Sequence, residues 1–467
     1  MRSRPFLPVS KLALLGGAPV RAAPFRSLPC VDDVEIQAVT SAMREGLFSR
    51  FVGSNLPGTR ELLVRPSAEL AGDLGAFSFL GGPNVRRFEA EWAALHEVPF
   101  AIAVNSATSG LTAILMAMDI GPRAEVITTP LSFTATSAAI VAAQATPVFV
   151  DIDEQTFNLD PAAVERSITP ATRAIVAVHW CGNAGDFDRI LEIGRRFDLP
   201  VIEDSAQAPG TRYQGRLLGS WGAAGVFSFS EPKNVMTGEG GMIITSDPRI
   251  AEKCRLIRNH GEAVATMADD DAYLRNVIGY NFRMVEIVAA MGWVQTGRLP
   301  ELNRRRNRNF IHLRRRLEGV PHLHPQRITH PETFAAYTAA FRWDEKESGV
   351  SRDAVALALR REGIPTATGV GRLQSDHPMF LRRIAYGDSG WPFTSTANYD
   401  PARLPVAHRV HDREYLGFFL LGWPNTEADM EDIAKAFEKI NAHRDALRTY
   451  EREHPAEVRV YDRGRGR

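Results

Sequence analysis

The chain has 467 residues, enough for two or three domains or for one large interlocked α/β unit. A composition of 44% hydrophobic and 24% charged residues is that of a globular protein, and 55 basic side chains cancel 55 acidic ones, so no global field draws the chain to nucleic acid or an anionic membrane. Three scattered cysteines, Cys30, Cys181 and Cys254, are too few for a disulfide framework or a zinc site, which predicts a cytoplasmic protein whose partner is a small molecule.

The opening "MRSRPFLPVSKLALLGGAPVRAAPF" pairs basic residues with an apolar piece that prolines and glycines keep shorter than a signal-peptide core. No apolar run approaches the ~20 residues of a membrane span. From residue 101, seven β-branched runs, "AIAVNS", "EVITTP", "PVFVDI", "AIVAVH", "PVIEDS", "GVFSFS" and "GMIITS", are separated in several places by amphipathic stretches such as "DFDRILEIGRRF". Continuous apolar strands between helices predict an α/β fold with a mostly parallel, seven-stranded sheet covered on both faces. Ligands of such sheets collect at the carboxyl ends of the strands.

Polar residues fall at those ends. After the first run, Asn105 to Ser109 open the helix "LTAILMAM"; Thr108 and Ser109 there offer backbone N–H groups to a phosphate, or serve an ordinary N-terminal cap. Phe133, in "TTPLSFTATS", stacks on a planar ligand or fills core. Asp204 ends "PVIED", where a desolvated carboxylate calls for a cationic or hydrogen-bonding partner or caps the next turn. Lys233 stands in "FSFSEPKNVMTGEGG", with Ser228 ahead of it and a glycine-rich turn behind. A phosphate cradle, a carboxylate and a lysine at one sheet edge match pyridoxal 5′-phosphate (PLP). The lysine forms a Schiff base with its aldehyde, the carboxylate holds the ring-nitrogen proton, and the cradle anchors the phosphate.

Further along, the arginines of "NRRRNRNFIHLRRRLEG", residues 303–319, read as a solvated helix face. "HLH" at residues 322–324 lacks further ligands at metal spacing, so no metal site is expected. "NTEADMEDIAKAFEKI" reads as a capped amphipathic helix closing a smaller C-terminal α/β domain, and the last residues as a mobile polar tail.

From about Phe77 to Ile440 the chain resembles the DegT/StrS family of PLP-dependent sugar aminotransferases, of fold type I. "NSATSGL", "PLSFTATSAAI", "VFVDIDEQTFNLDP", "VHWCGN", "VIEDSAQAPG", "GVFSFSEPKNVMTGEGG", "RNHG" and "GYNFRMVEIVAAMGWVQ" carry the likeness, in family order. The resemblance implies that Lys233 is the Schiff-base lysine and Asp204 the partner of the pyridine nitrogen. It implies that Gln207 contacts the phenolic oxygen, that Ser228 and the Thr108–Ser109 backbone hold the phosphate, and that Phe133 stacks on the ring. Asn281, in "GYNFR", matches an asparagine that reaches the phosphate from the neighbouring subunit, which implies a homodimer with shared sites. The start "GGAPVR" is similar to a subgroup containing glutamine-dependent cyclitol aminotransferases and amino-hydroxybenzoate synthases.

Two stretches depart from the family pattern by their length, residues 47–76 and 369–400; the resemblance implies that such regions build the substrate pocket, so these departures bear on which substrate is bound. The expected division is an N-terminal segment (1–98), a large PLP-binding domain (99–300), a small C-terminal domain (301–445) and a polar tail (446–467). The expected activity is transfer of an amino group from glutamate or glutamine to a keto sugar, nucleotide-linked, or to a keto cyclitol. A dehydratase or aromatising synthase of the same fold, and a non-catalytic PLP-binding regulator or scaffold, are the alternatives.

Overall fold

The seven apolar runs form one sheet. In this computed structural model, which describes residues 10–26, 29–51, 59–72, 79–261, 278–393 and 397–458, the strands are β1 (Phe100–Val104), β2 (Glu125–Thr128), β3 (Thr146–Phe149), β4 (Thr172–Val178) and β5 (Val201–Asp204), then a short hairpin of β6 (Arg212–Tyr213) and β7 (Arg216–Leu217), and finally β8 (Ala224–Ser228) and β9 (Gly241–Thr245). The sheet order is β1-β9-β8-β5-β4-β2-β3, and β9 alone runs against its neighbours. The other pairings are parallel.

Alternation along each strand feeds two buried faces. Ile102, Val104, Val176, Val226 and Ile243 pack under the helices Ala107–Ala117 and Pro248–Arg258. On the opposite face Ala101, Ala103, Phe227 and Met242 meet Phe88 and Trp92 of the helix Pro83–Leu95, while Ile127, Ile175 and Val201 meet Phe187, Ile190 and Ile193 of the helix Phe187–Arg196. Each buried valine, isoleucine, methionine or phenylalanine among them stabilises the fold by about 1.5–3 kcal/mol relative to exposure.

A 32-residue helix, Glu286–Leu317, leads to a second, antiparallel sheet of β10 (Leu323–Pro325), β11 (Ala339–Trp343) and β12 (Tyr415–Phe418). The helices Arg352–Arg361 and Glu427–Ala442 pack with it in one core. Thr426 and Asp429 form a capping box at the start of the latter, as the sequence predicts. The "GGAPVR" stretch is fastened to this smaller unit. Buried Glu362 accepts from Ala13 N and Val20 N and pairs with Lys439, while Arg21 pairs with Asp429 and Asp432.

The tail differs from expectation. Residues up to Val458 form the helices Arg444–Glu453 and Pro455–Val458, because Leu447 and Val458 bury themselves in the core of the smaller unit. Residues 459–467 lie outside the described residues, as do 262–277 and parts of the long 47–76 and 369–400 segments (52–58, 73–78 and 394–396). No helix among the described residues is long and apolar enough to cross a membrane.

Candidate active site

The end of β5 separates two carboxylates by the two-residue period of a strand. Glu203 accepts N–H groups from Gly219 (2.6 Å), Trp221 (2.7 Å) and Gly222 (2.7 Å) and contacts His179 Nε2 at 2.9 Å, so it ties a loop down. Asp204 points to the other side, 5% exposed. Its Oδ2 accepts from the Thr136 hydroxyl at 2.8 Å and its Oδ1 from Ala206 N at 3.2 Å. Since the Thr136 proton is committed to Asp204, the Ser132 hydroxyl, 2.8 Å from Thr136 Oγ1, donates to Thr136 in turn.

Lys233 follows β8 in a loop closed by a bridge between Ser230 and Gly238 and by a bond from Lys233 N to Ser230 O at 3.0 Å. Its Nζ stands 4.6 Å from the centre of the Tyr337 ring. Burial pushes the ammonium pKa down to about 8, against the pull of the Asp204 carboxylate and with a further push from the Arg306 charge. Near pH 8, about half of these amines are unprotonated and nucleophilic.

The helix Ala107–Ala117 begins beside this edge. Ser106 Oγ caps Ser109 N at 3.1 Å, and Ser109 Oγ donates to Asn105 Oδ1 at 2.6 Å. The Ser109 N–H is therefore engaged within the chain, and Ala107 and Thr108 carry the N–H groups of the first turn that the cap leaves open. Gly241, the first residue of β9, lets that turn approach closely; a Cβ there would lie 2.6 Å from Ala107 N. Ser228, at the end of β8, lies within 3.3 Å of the Ser230 hydroxyl.

Gln207 is buried, and its Oε1 accepts from Cys181 N at 2.8 Å, which turns its Nε2 donor outward from that contact. Phe133 is 71% exposed, an unusual state for a phenylalanine, and lines an open hollow with Ser132, Thr134, Arg372, Gln374 and His377. Asn281 is exposed. Its Oδ1 accepts from Arg283 Nε at 2.9 Å, and its backbone oxygen faces Asn105 Nδ2 at 3.4 Å, beside the Thr108 turn of its own chain.

Asp204, Ser228, Thr108 and Lys233 thus gather at the carboxyl edge of the sheet, and Gln207 joins them through the Cys181 turn. Sequence reasoning missed Thr136, which sits inside a quoted motif, and Tyr337, which lies far along the chain with no local signal. It also read Arg306 as part of a solvated face. Instead Arg306 lines a cavity of about 220 Å³ together with Lys233 and Tyr337, because the helix Glu286–Leu317 turns that position toward the smaller unit. Among the described residues no group of three or more His, Cys, Asp or Glu could hold a metal ion.

Residues 70–415 match the model of the DegT/DnrJ/EryC1/StrS aminotransferase family. The spore coat polysaccharide biosynthesis protein SpsC of Bacillus subtilis is 34% identical over 392 residues, covering 83% of this chain and 92% of SpsC. The crystal structure of DesI in the presence of its TDP-sugar product superposes with a TM-score of 0.72 at 27% identity, covering 95% of this chain and 99% of DesI. The 3-amino-5-hydroxybenzoic acid (AHBA) synthase superposes with a TM-score of 0.73 at 27% identity, covering 91% of this chain and all, 100%, of that one. The chain belongs to the DegT/DnrJ/EryC1/StrS aminotransferase family, whose members depend on PLP.

Proposed function

We propose that this family member binds PLP, takes an amino group from glutamate or glutamine, and delivers it to a keto sugar, nucleotide-linked, or to a keto cyclitol, in active sites shared between two chains. The observation that carries the reading is the pair at the sheet edge: a half-buried lysine with its pKa lowered to about 8 and, attracting it, a buried carboxylate held by Thr136. The residues present fit PLP. An amine, a desolvated carboxylate, a hydroxyl, open helix N–H groups and an exposed aromatic face are the partners its aldehyde, ring nitrogen, phosphate and ring require.

When bound, the cofactor supplies the electron sink that makes the proton on the amino-bearing carbon removable. Lys233 would be the base that takes and returns that proton, and its lowered pKa leaves a share of the amine free to do so near neutral pH. Asp204 holds a proton at the pyridine nitrogen, and Thr136 keeps the carboxylate aimed. Thr108 N–H and Ser228 bind the phosphate, with the N–H of Ala107 taking the part that the capped Ser109 gives up. Gln207 donates to the phenolic oxygen, and Phe133 covers one ring face. Asn281 reaches the phosphate of the opposite subunit; its exposure, with exposed Ile278, Tyr280 and Val285 near it in sequence, supports a surface covered by a second chain.

The test is chemical. Borohydride added to the PLP-loaded protein should fix the cofactor, and peptide mapping should find it on Lys233; the label on another lysine would overturn the assignment. The likeness to the AHBA synthase supports a second reading, an aromatising synthase on the same fold. Formation of an aromatic product from a keto cyclitol, in place of an amino cyclitol, would favour it.

A further inference from the structure

Two adjacent arginines of the helix Glu286–Leu317 line the cavity beside Lys233, and they differ in what they touch. Arg305 has a counter-charge, Glu301, at 2.8 Å, and its guanidinium lies over the Trp423 ring. Arg306 has none. Its one described hydrogen bond is from Nη1 to Tyr337 O at 3.3 Å, and Glu231, the cavity's carboxylate, forms no ion pair with it. Burial lowers the Arg306 pKa to about 10, and only Tyr337 opposes that effect. Lys233, a further cation on the cavity wall, and Arg306 repel each other.

A desolvated guanidinium without a carboxylate is costly in a folded chain, and one next to a lysine more so. The surrounding structure nonetheless makes room for it. At Gly422 a Cβ would lie 2.9 Å from Arg306 Nη2 and 3.1 Å from Cζ, so glycine there keeps the guanidinium in place. Asn307, the next residue, donates to Phe334 O and accepts from Ala336 N, which fixes the segment carrying Tyr337 against the helix. A cation held open toward a cavity in this way is a binding group for an anion.

We infer that Arg306 binds a carboxylate of the amino-acid donor, in a subsite walled by Tyr337, Trp423 and Lys233. The inference rests on the proposed function. Carboxylate is favoured over a substrate phosphate by distance. Tyr337 touches both Lys233 and Arg306, so the anion lies close to the amine-transferring atom. An amino acid carries its carboxylate on the carbon that bears the amine, whereas the phosphates of a nucleotide-linked sugar lie across a sugar ring from the keto carbon.

Calorimetric titration of the full-length protein, with and without PLP, decides this, using glutarate as a carboxylate probe without an amine and uridine diphosphate as the phosphate probe. Glutarate should bind the wild type. Arg306→Leu should weaken it roughly 10- to 100-fold, the worth of a charge-assisted hydrogen-bonded pair. Arg306→Lys should retain part of the affinity, and Gly422→Ala should weaken binding by displacing the guanidinium; these two carry the test if Arg306→Leu does not fold. No glutarate binding to the wild type, or equal binding in the folded variants, overturns the inference. Loss of uridine diphosphate binding alone gives the subsite to the acceptor and overturns the donor assignment. Misassignment of Lys233 would appear in the borohydride map and leave the glutarate titration readable.

Discussion

A lysine on a loop is ordinary until its environment penalises its charge. Because the folded pKa of Lys233, about 8, lies below the ordinary 10.5, the folded cofactor-free chain binds fewer protons there than the unfolded chain between those values, so this group's contribution to stability rises with pH from 8 to 10.5. Below pH 8 the buried ammonium costs up to about 3 kcal/mol. Cofactor-free Lys233→Met should accordingly resist urea better than the wild type at pH 7, with the advantage shrinking by pH 10; a difference that does not change with pH contradicts the burial argument. Asp204→Asn should keep some PLP but lose several kcal/mol of transition-state stabilisation, on the order of 10³-fold in kcat, because an amide does not hold the ring-nitrogen proton. Near wild-type turnover would remove Asp204 from the mechanism. Thr136→Val leaves Asp204 Oδ2 without its hydroxyl donor, and about 1–3 kcal/mol of stability should go with it in denaturant unfolding. Lys233 and Asp204 were legible because each ends or follows an apolar strand. Thr136, Tyr337 and Arg306 were not, since their importance arises from which distant element they face.

At the scale of elements, period and punctuation were good guides where both faces of a strand are buried. Each of the seven strands of the large sheet overlaps one of the marked runs, four of them starting one or two residues before it, and the capped helix Glu427–Ala442 follows its N-cap Thr426 as expected. The failures have one cause. The polar C-terminal stretch and the arginine run each read as solvated by composition, yet Leu447, Val458 and Arg306 are turned toward the smaller unit by tertiary packing that composition does not encode. Within the long 47–76 segment, unusual by length alone, the described residues 62–67 are anchored by a buried arginine. Arg255 Nη1 donates to Leu63 O at 2.7 Å and Arg65 O at 2.9 Å, and Nη2 approaches Ser67 Oγ at 3.4 Å. Arg255→Leu should strand those carbonyls, lower stability by about 2–4 kcal/mol, and expose residues 59–70 to limited proteolysis. Unchanged protection of that stretch would mean that the apolar contacts of Leu62, Leu63 and Leu70 suffice to hold it.

For the molecule as a whole, the single chain gathers the groups at the sheet edge but leaves Asn281 exposed and Phe133 bare. In the proposed function a second chain would cover Asn281 and the cofactor ring would cover Phe133. Inactive Lys233→Ala chains mixed with inactive Asn281 variants should recover roughly a quarter of wild-type activity, since random pairing makes half the dimers mixed and each mixed dimer has one intact site. No recovery, once native mass spectrometry shows that the chains exchange, contradicts the shared site and leaves Lys233 untouched. The most direct test of the central claim is one half-reaction. The protein loaded with pyridoxamine phosphate is offered nucleotide-linked keto sugars and keto cyclitols, and the products are read by mass spectrometry as the yellow absorbance returns. The account predicts an aminated product from at least one of these acceptors with the wild type and none with Lys233→Ala; no amination across the panel, or equal amination without Lys233, contradicts it.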